Sequence, residues 1–139
     1  MKIKPLKITF ESLDEFIAKS KIAISEAIKT KRKSTQKKDT QIWSSVEAYQ
    51  QFMSDQKYAI LATIYKYHPQ SVYQLAKLLK RAQQNVARDC DLLEGHGFIK
   101  FENPKTSRNS KSPKLSFEYN AIIIHHPTVT YKVEFEEAA

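Results

Sequence analysis

A chain of 139 residues matches one compact domain with an appended arm and leaves no room for two large lobes. Its 23 Lys+Arg against 15 Asp+Glu give a formal charge of +8, and 41% apolar residues are enough for a buried core beneath a basic surface. Apolar runs such as Ala121 to Ile124 fall far short of the roughly 20 residues of a membrane-spanning helix. The lysine-studded N-terminus lacks a secretory pattern, and a lone Cys90 excludes an internal disulfide, so a cytoplasmic location is expected.

In chain order, Ile3, Leu6, Ile8 and Phe10 alternate among lysines over residues 2–10, which predicts a short edge strand because Pro5 interrupts it. Ser12 and Glu15 form a capping box ahead of Leu13, Phe16, Ile17, Ile24, Ala27 and Ile28, an amphipathic helix over 12–28. Lys29, Lys31, Arg32, Lys33, Lys37 and Lys38 then fall within ten residues without an acid, which reads as a solvated linker. Gln41–Trp43 suits a short strand, and Ser44 with Glu47 repeats the capping box before a brief helix.

A helix is expected over Asp55–Tyr67, with Tyr58, Leu61, Ile64 and Tyr65 on its apolar face and His68-Pro69 as its stop. Ser71 with Gln74 caps the next helix, whose Val72, Leu75, Ala76 and Leu79 share a face. After Lys80-Arg81, a third helix runs from about Ala82 to Glu94, burying Val86, Cys90 and Leu93 and ending at Gly95 and Gly97, the only glycines in the chain. Phe98–Phe101 reads as a strand, residues 103–114 as a basic polar loop, Leu115–Tyr119 as a returning strand, Ala121–Ile124 as a buried strand and Val129–Phe135 as a C-terminal strand.

Three short helices followed by glycine, strand, basic loop and strand describe an α+β winged helix-turn-helix over 41–126. It carries an N-terminal strand-helix arm with its linker at 1–40 and a C-terminal β extension at 127–139. In that arrangement the third helix enters the major groove and the loop lies on flanking phosphates. With Val86, Cys90 and Leu93 inward, Gln83, Gln84, Ala87, Arg88 and Asp91 point outward and Asn85 sits at the boundary. Amide and guanidinium groups can pair with base edges, which makes Gln83, Gln84, Asn85 and Arg88 the candidate base contacts. Ser71, Lys80, Arg81, Lys105, Arg108, Lys111 and Lys114 are the candidate backbone contacts.

Residues 71–102 resemble the recognition core of MarR-like winged-helix transcriptional regulators, in their small prokaryotic DNA-binding subgroup. Leu75-Ala76, Asn85-Val86-Ala87-Arg88-Asp89, Leu93-Glu94 and Gly97-Phe98-Ile99 carry the likeness. The resemblance implies the fold, a homodimer and DNA binding through Gln83, Gln84, Asn85 and Arg88. The stripe of helix 12–28, long for a small core, is the candidate dimerisation surface.

Other chemistry finds little support. His68, His96, His125 and His126 are scattered, no second cysteine or carboxylate cluster completes a metal set, and two glycines cannot build a phosphate loop, so no metal, cofactor or catalytic site is expected. Cys90 is read as core. The expectation is therefore a dimeric regulator that binds double-stranded DNA at an operator. Its rivals are an antitoxin-like protein that neutralises a protein partner while regulating itself through DNA, and a nucleic-acid binder acting by charge alone.

Overall fold

The computed structural model describes residues 3–11, 14, 15, 17, 18, 21, 22, 39–102, 111–126 and 128–135. Among these the protein is α+β, with β1 Pro5–Phe10, β2 Thr40–Trp43, α1 Val46–Phe52, α2 Asp55–Tyr67, α3 Val72–Leu79, α4 Gln83–Gly95, β3 Ile99–Glu102, β4 Ser112–Leu115, β5 Ala121–His125 and β6 Thr130–Glu134. Asp14, Glu15, Ile17, Ala18, Lys21 and Ile22 are helical, while Leu13, Phe16, Ile24, Ala27 and Ile28 of the expected 12–28 stripe lie outside the described residues. The linker and the Ser12 cap lie outside them too. No helix among the described residues is long and apolar enough to cross a membrane.

Two compact units are present. One is built on residues 53–121 with short pieces near the two ends, the other on 5–52 and 122–133. Residues 41–52 and 122–126, grouped from sequence with the middle of the chain, thus belong to the second unit.

In the first unit α2 starts at Ser54, whose hydroxyl accepts from the Lys57 N–H at 3.3 Å, and buries Ile60, Leu61 and Ile64. It stops at His68 as expected, but His68 takes left-handed angles (φ 48°) instead of the extended ones usual before proline. α3 carries the expected cap: the Gln74 N–H donates to Ser71 Oγ at 3.1 Å, and the Gln74 amide oxygen accepts from the Gln70 N–H at 2.9 Å. Leu75 and Ala76 are its buried face. The helix ends on Lys80, also left-handed (φ 56°), with the Arg81 N–H returning to the Ala76 carbonyl at 3.1 Å.

α4 runs one residue later than expected at both ends and has no side-chain N-cap, because Ala82 occupies that position. Val86, Cys90 and Leu93 are completely buried. Of the two glycines only Gly97 needs its freedom, at φ 80°; Gly95 is still helical, and a Cβ there would meet nothing within 4 Å. The Phe98 N–H donates to the Leu93 carbonyl at 3.0 Å, which turns the chain into β3.

β3 and β4 pair antiparallel, from Ile99 opposite Leu115 to Glu102 opposite Ser112. The returning strand is therefore 112–115, not the expected 115–119. Pro113, within the expected 103–114 loop, is part of this strand. The Ser116 N–H donates to the Phe98 carbonyl at 3.1 Å, so with the register alternating, the nitrogen of Pro113 faces away from β3. Pro113 is buried there, and a proline leaves no donor unsatisfied. Phe117 and Tyr119 serve instead as packing: their rings lie 4.9 Å apart, Tyr119 sits 5.9 Å from Phe135, and the Tyr119 hydroxyl donates to the Phe98 carbonyl at 2.8 Å.

The second unit is a four-stranded sheet of order β2-β1-β5-β6, with β1 and β2 parallel from Lys7 opposite Thr40 to Phe10 opposite Trp43. β1 is thus an interior strand, not an edge. Pro5 is tolerated because it is the first residue of the strand, and Leu6 and Ile8 are buried. α1 is capped by Ser45, which accepts from the Ala48 N–H at 3.1 Å, rather than by Ser44. Its Tyr49 packs edge-on against Trp43 at 5.3 Å and Phe10 at 6.2 Å.

The two glycines should respond oppositely to alanine. Gly97→Ala forces a Cβ into left-handed geometry and should cost about 1–2 kcal/mol, whereas Gly95→Ala should stabilise by about 0.5–1 kcal/mol. Thermal unfolding of the two variants measures both signs.

Candidate nucleic-acid interface

The inner stripe of α4 decides what its outer face offers. With Val86, Cys90 and Leu93 buried, Gln83, Gln84, Asn85 and Arg88 are all exposed, as is Asp91, and Ala87 is half-buried. The four candidate base-contacting residues thus stand together on the first two turns of one helix.

Two shallow depressions flank this face, both within the first unit. One, of about 430 Å³, is lined by Ser71, Tyr73, Gln83, Asp91, Glu94, Phe101 and Lys111, so it brings together a helix cap, an α4 amide and a hairpin lysine. The Ser71 oxygen already accepts from Gln74, which leaves its hydroxyl proton to donate outward. The other, of about 330 Å³, is lined by Gln56, Arg81, Ala82, Asn85, Arg88 and Asp89.

Not every expected contact faces this region. The Arg81 guanidinium is turned inward: its Nη2 pairs with Asp89 at 3.0 Å and reaches Gln56 Oε1 at 3.4 Å, and its Nη1 is buried without a partner among the described residues. That geometry ties α4 to the turn before it and commits the cation to Asp89. Lys80 and Lys111 are exposed. Lys114 sits directly opposite Lys100 across the hairpin and lines a different depression, with Tyr65, His68, Lys100 and Phe117, away from the α4 face. Lys105 and Arg108 lie outside the described residues.

The structure adds residues that the periodicity of α4 did not point to. Tyr73 is half exposed in the first depression, with the Lys77 ammonium 4.7 Å from its ring centre, a cation–π contact between neighbouring turns. Gln56 comes from α2, and only tertiary packing brings it beside Arg88. α4 itself holds Arg88 against Asp89, Asp91 and Glu94, and the exposed Lys80 and Lys111 lie outside the helix.

Residues 52–124 match the family model HVO_A0114. The chain belongs to the HVO_A0114 family. The matched stretch contains α2, α3, α4 and the β3–β4 hairpin and ends within β5. This family member is also similar to the solved structure of disulfide-formed AbfR, with 14% identity and a TM-score of 0.40 over 73% of this chain; it spans 66% of that chain's length. No curated protein matches it.

Cys90 has no part in the exposed face. Burial, then the nearby Asp91 and Asp89 carboxylates, push its thiol from 9.0 up to about 12, against a smaller opposing pull from Arg81. Among the described residues no group of three His, Cys, Asp or Glu side chains is placed to hold a metal ion.

An unfolded chain loses the Cys90 proton near pH 9 while the folded chain keeps it to about 12, so folding stability should fall as pH rises through that window. Urea unfolding at stepped pH should show a shallower alkaline decline in Cys90→Ala than in the parent. Below pH 9 the native thiol should react with disulfide reagents only at the rate of unfolding.

Proposed function

We propose that this protein is a winged helix-turn-helix, MarR-like transcriptional regulator that binds double-stranded DNA sequence-specifically, as a homodimer, at an operator. One observation carries the reading: Gln83, Gln84, Asn85 and Arg88 are all exposed on the first two turns of α4, while Val86, Cys90 and Leu93 hold the helix in the core. α4 would lie in the major groove, its amides pairing with adenine and Arg88 with guanine, each good pair discriminating by about 1–3 kcal/mol. Ser71, Lys80 and Lys111 would meet phosphates on either side, with Lys105 and Arg108 extending that contact along the hairpin loop. The three carboxylates on α4 make non-specific adhesion through the helix unfavourable, which supports a reading by base pairing over one by charge alone.

Selection of bound sequences from a random duplex pool, using the full chain, tests the proposal. A two-fold symmetric motif is expected, and Arg88→Ala should relax preference at one base pair per half-site. An unenriched pool, or a variant that weakens every sequence alike, would refute it.

The inward turn of Arg81 separates it from its neighbours. Lys111→Ala should lower the salt slope of binding by about 0.9 per protomer. Arg81→Ala should leave that slope unchanged and instead lower unfolding stability by about 1–3 kcal/mol, since Asp89 loses its partner. Fluorescence anisotropy across a salt series and urea unfolding read the two effects.

A further inference from the structure

The depression that Lys114 lines, away from the α4 face, has a volume of about 560 Å³ and is larger than the two beside α4. Every described residue around it belongs to the first unit. Lys100 and Lys114 stand directly opposite each other across the hairpin, a placement in which like charges weaken a strand pair. Lys100 is offset by Glu102 at 3.3 Å. Lys114 is half-buried and has no acidic partner among the described residues. Lys4 joins them on the same wall, where its N–H donates to Asn120 Oδ1 at 2.8 Å and its carbonyl accepts from the Asn120 N–H at 2.9 Å.

An anion between the two hairpin lysines would relieve their opposition. Ammonium groups are compact point charges, and with no arginine fork among the described lining residues they suit the dense charge of a phosphate better than a planar carboxylate. Phosphate alone would gain nothing from acids, yet Glu118 lines the same wall, and a carboxylate there can accept from sugar hydroxyls. Tyr65 and Phe117 complete the set. Both rings are half-buried and packed on their inner neighbours, Tyr65 at 5.9 Å from Phe135 and Phe117 at 4.9 Å from Tyr119, while still lining the depression. Aromatic surface of that kind stacks on any planar base.

We propose that this depression binds a mononucleotide, its phosphate held by Lys114 with Lys100 and Lys4, its sugar hydroxyls on Glu118 and its base against Tyr65 and Phe117. The volume lies within the range of about 300–1,000 Å³ common to small-ligand sites. The inference stands apart from the DNA reading, because Gln83, Gln84, Asn85 and Arg88 are not among the residues lining this depression.

Calorimetric titration of the full chain with AMP, CMP, GMP and UMP tests it, with the matching nucleosides and inorganic phosphate as half-ligands. At least one nucleotide should bind about tenfold or more tightly than either of its halves. Lys114→Ala should weaken that binding about tenfold or more, and Lys114→Arg should restore most of it. Lys77→Ala removes a lysine that lies over Tyr73, outside the depression, and should change nothing. Because Lys114→Ala also removes the like-charge opposition, the variant without ligand should melt no lower than the parent, which separates lost binding from lost fold. Binding of none of the four nucleotides, phosphate or nucleoside alone binding as tightly, or an equal loss in Lys77→Ala would each overturn the proposal. Duplex selection is a separate measurement, so a chain that selects a sequence but binds no nucleotide rejects this site and leaves the DNA reading standing.

Discussion

Complete removal of Val86, Cys90 and Leu93 from water sets the orientation of α4, and much of the first unit follows from it. Fully burying a valine or leucine side chain contributes roughly 1.5–3 kcal/mol, a large share of the net stability of a small domain. Rotating the helix to hide Gln84 or Arg88 would forfeit that gain and strand polar groups in the interior. The polar face is thus outward because the apolar stripe leaves it no alternative. The Arg81–Asp89 pair and the Tyr119 hydrogen bond to Phe98 fix the two ends of the same helix, one at the turn before it and one at the strand after it.

Much of the local chemistry is legible in the sequence where a short-range rule governs, although the α1 cap falls on Ser45 instead of Ser44 and His68 departs from the usual pre-proline angles. The Ser71–Gln74 cap, the stop at His68-Pro69, the α4 stripe and the left-handed Gly97 each depend on residues within a turn or two of one another. Misreadings arose where a distant segment decided. Pro5 signalled an edge, but β1 is flanked by strands from residues 40–43 and 121–125, and one proline at a strand's first residue does not prevent that. Alternation over 115–119 imitated a strand, whereas Phe117 and Tyr119 are spaced to pack against one another and Phe135.

The same division holds for the candidate interface. Which α4 residues point outward could be computed from 3.6-residue periodicity. That Arg81 would be claimed by Asp89 eight positions on, that Lys114 would face Lys100 on another surface, and that Gln56 would arrive beside Arg88 all depend on tertiary packing. A count of basic residues cannot distinguish a cation held by a carboxylate from one presented to solvent.

The turn between α3 and α4 contains a compromise of its own. Lys80 occupies the left-handed position of a helix C-cap that glycine fills at least conformational expense, and an ordinary side chain there sacrifices about 1 kcal/mol. Glycine at this position would make the domain harder to melt while deleting a cation beside the helix that carries Arg88. Under the proposed function, endurance and reach for a polyanion pull in opposite directions on a single backbone angle, so a version of this protein optimised for heat resistance alone would not keep lysine there.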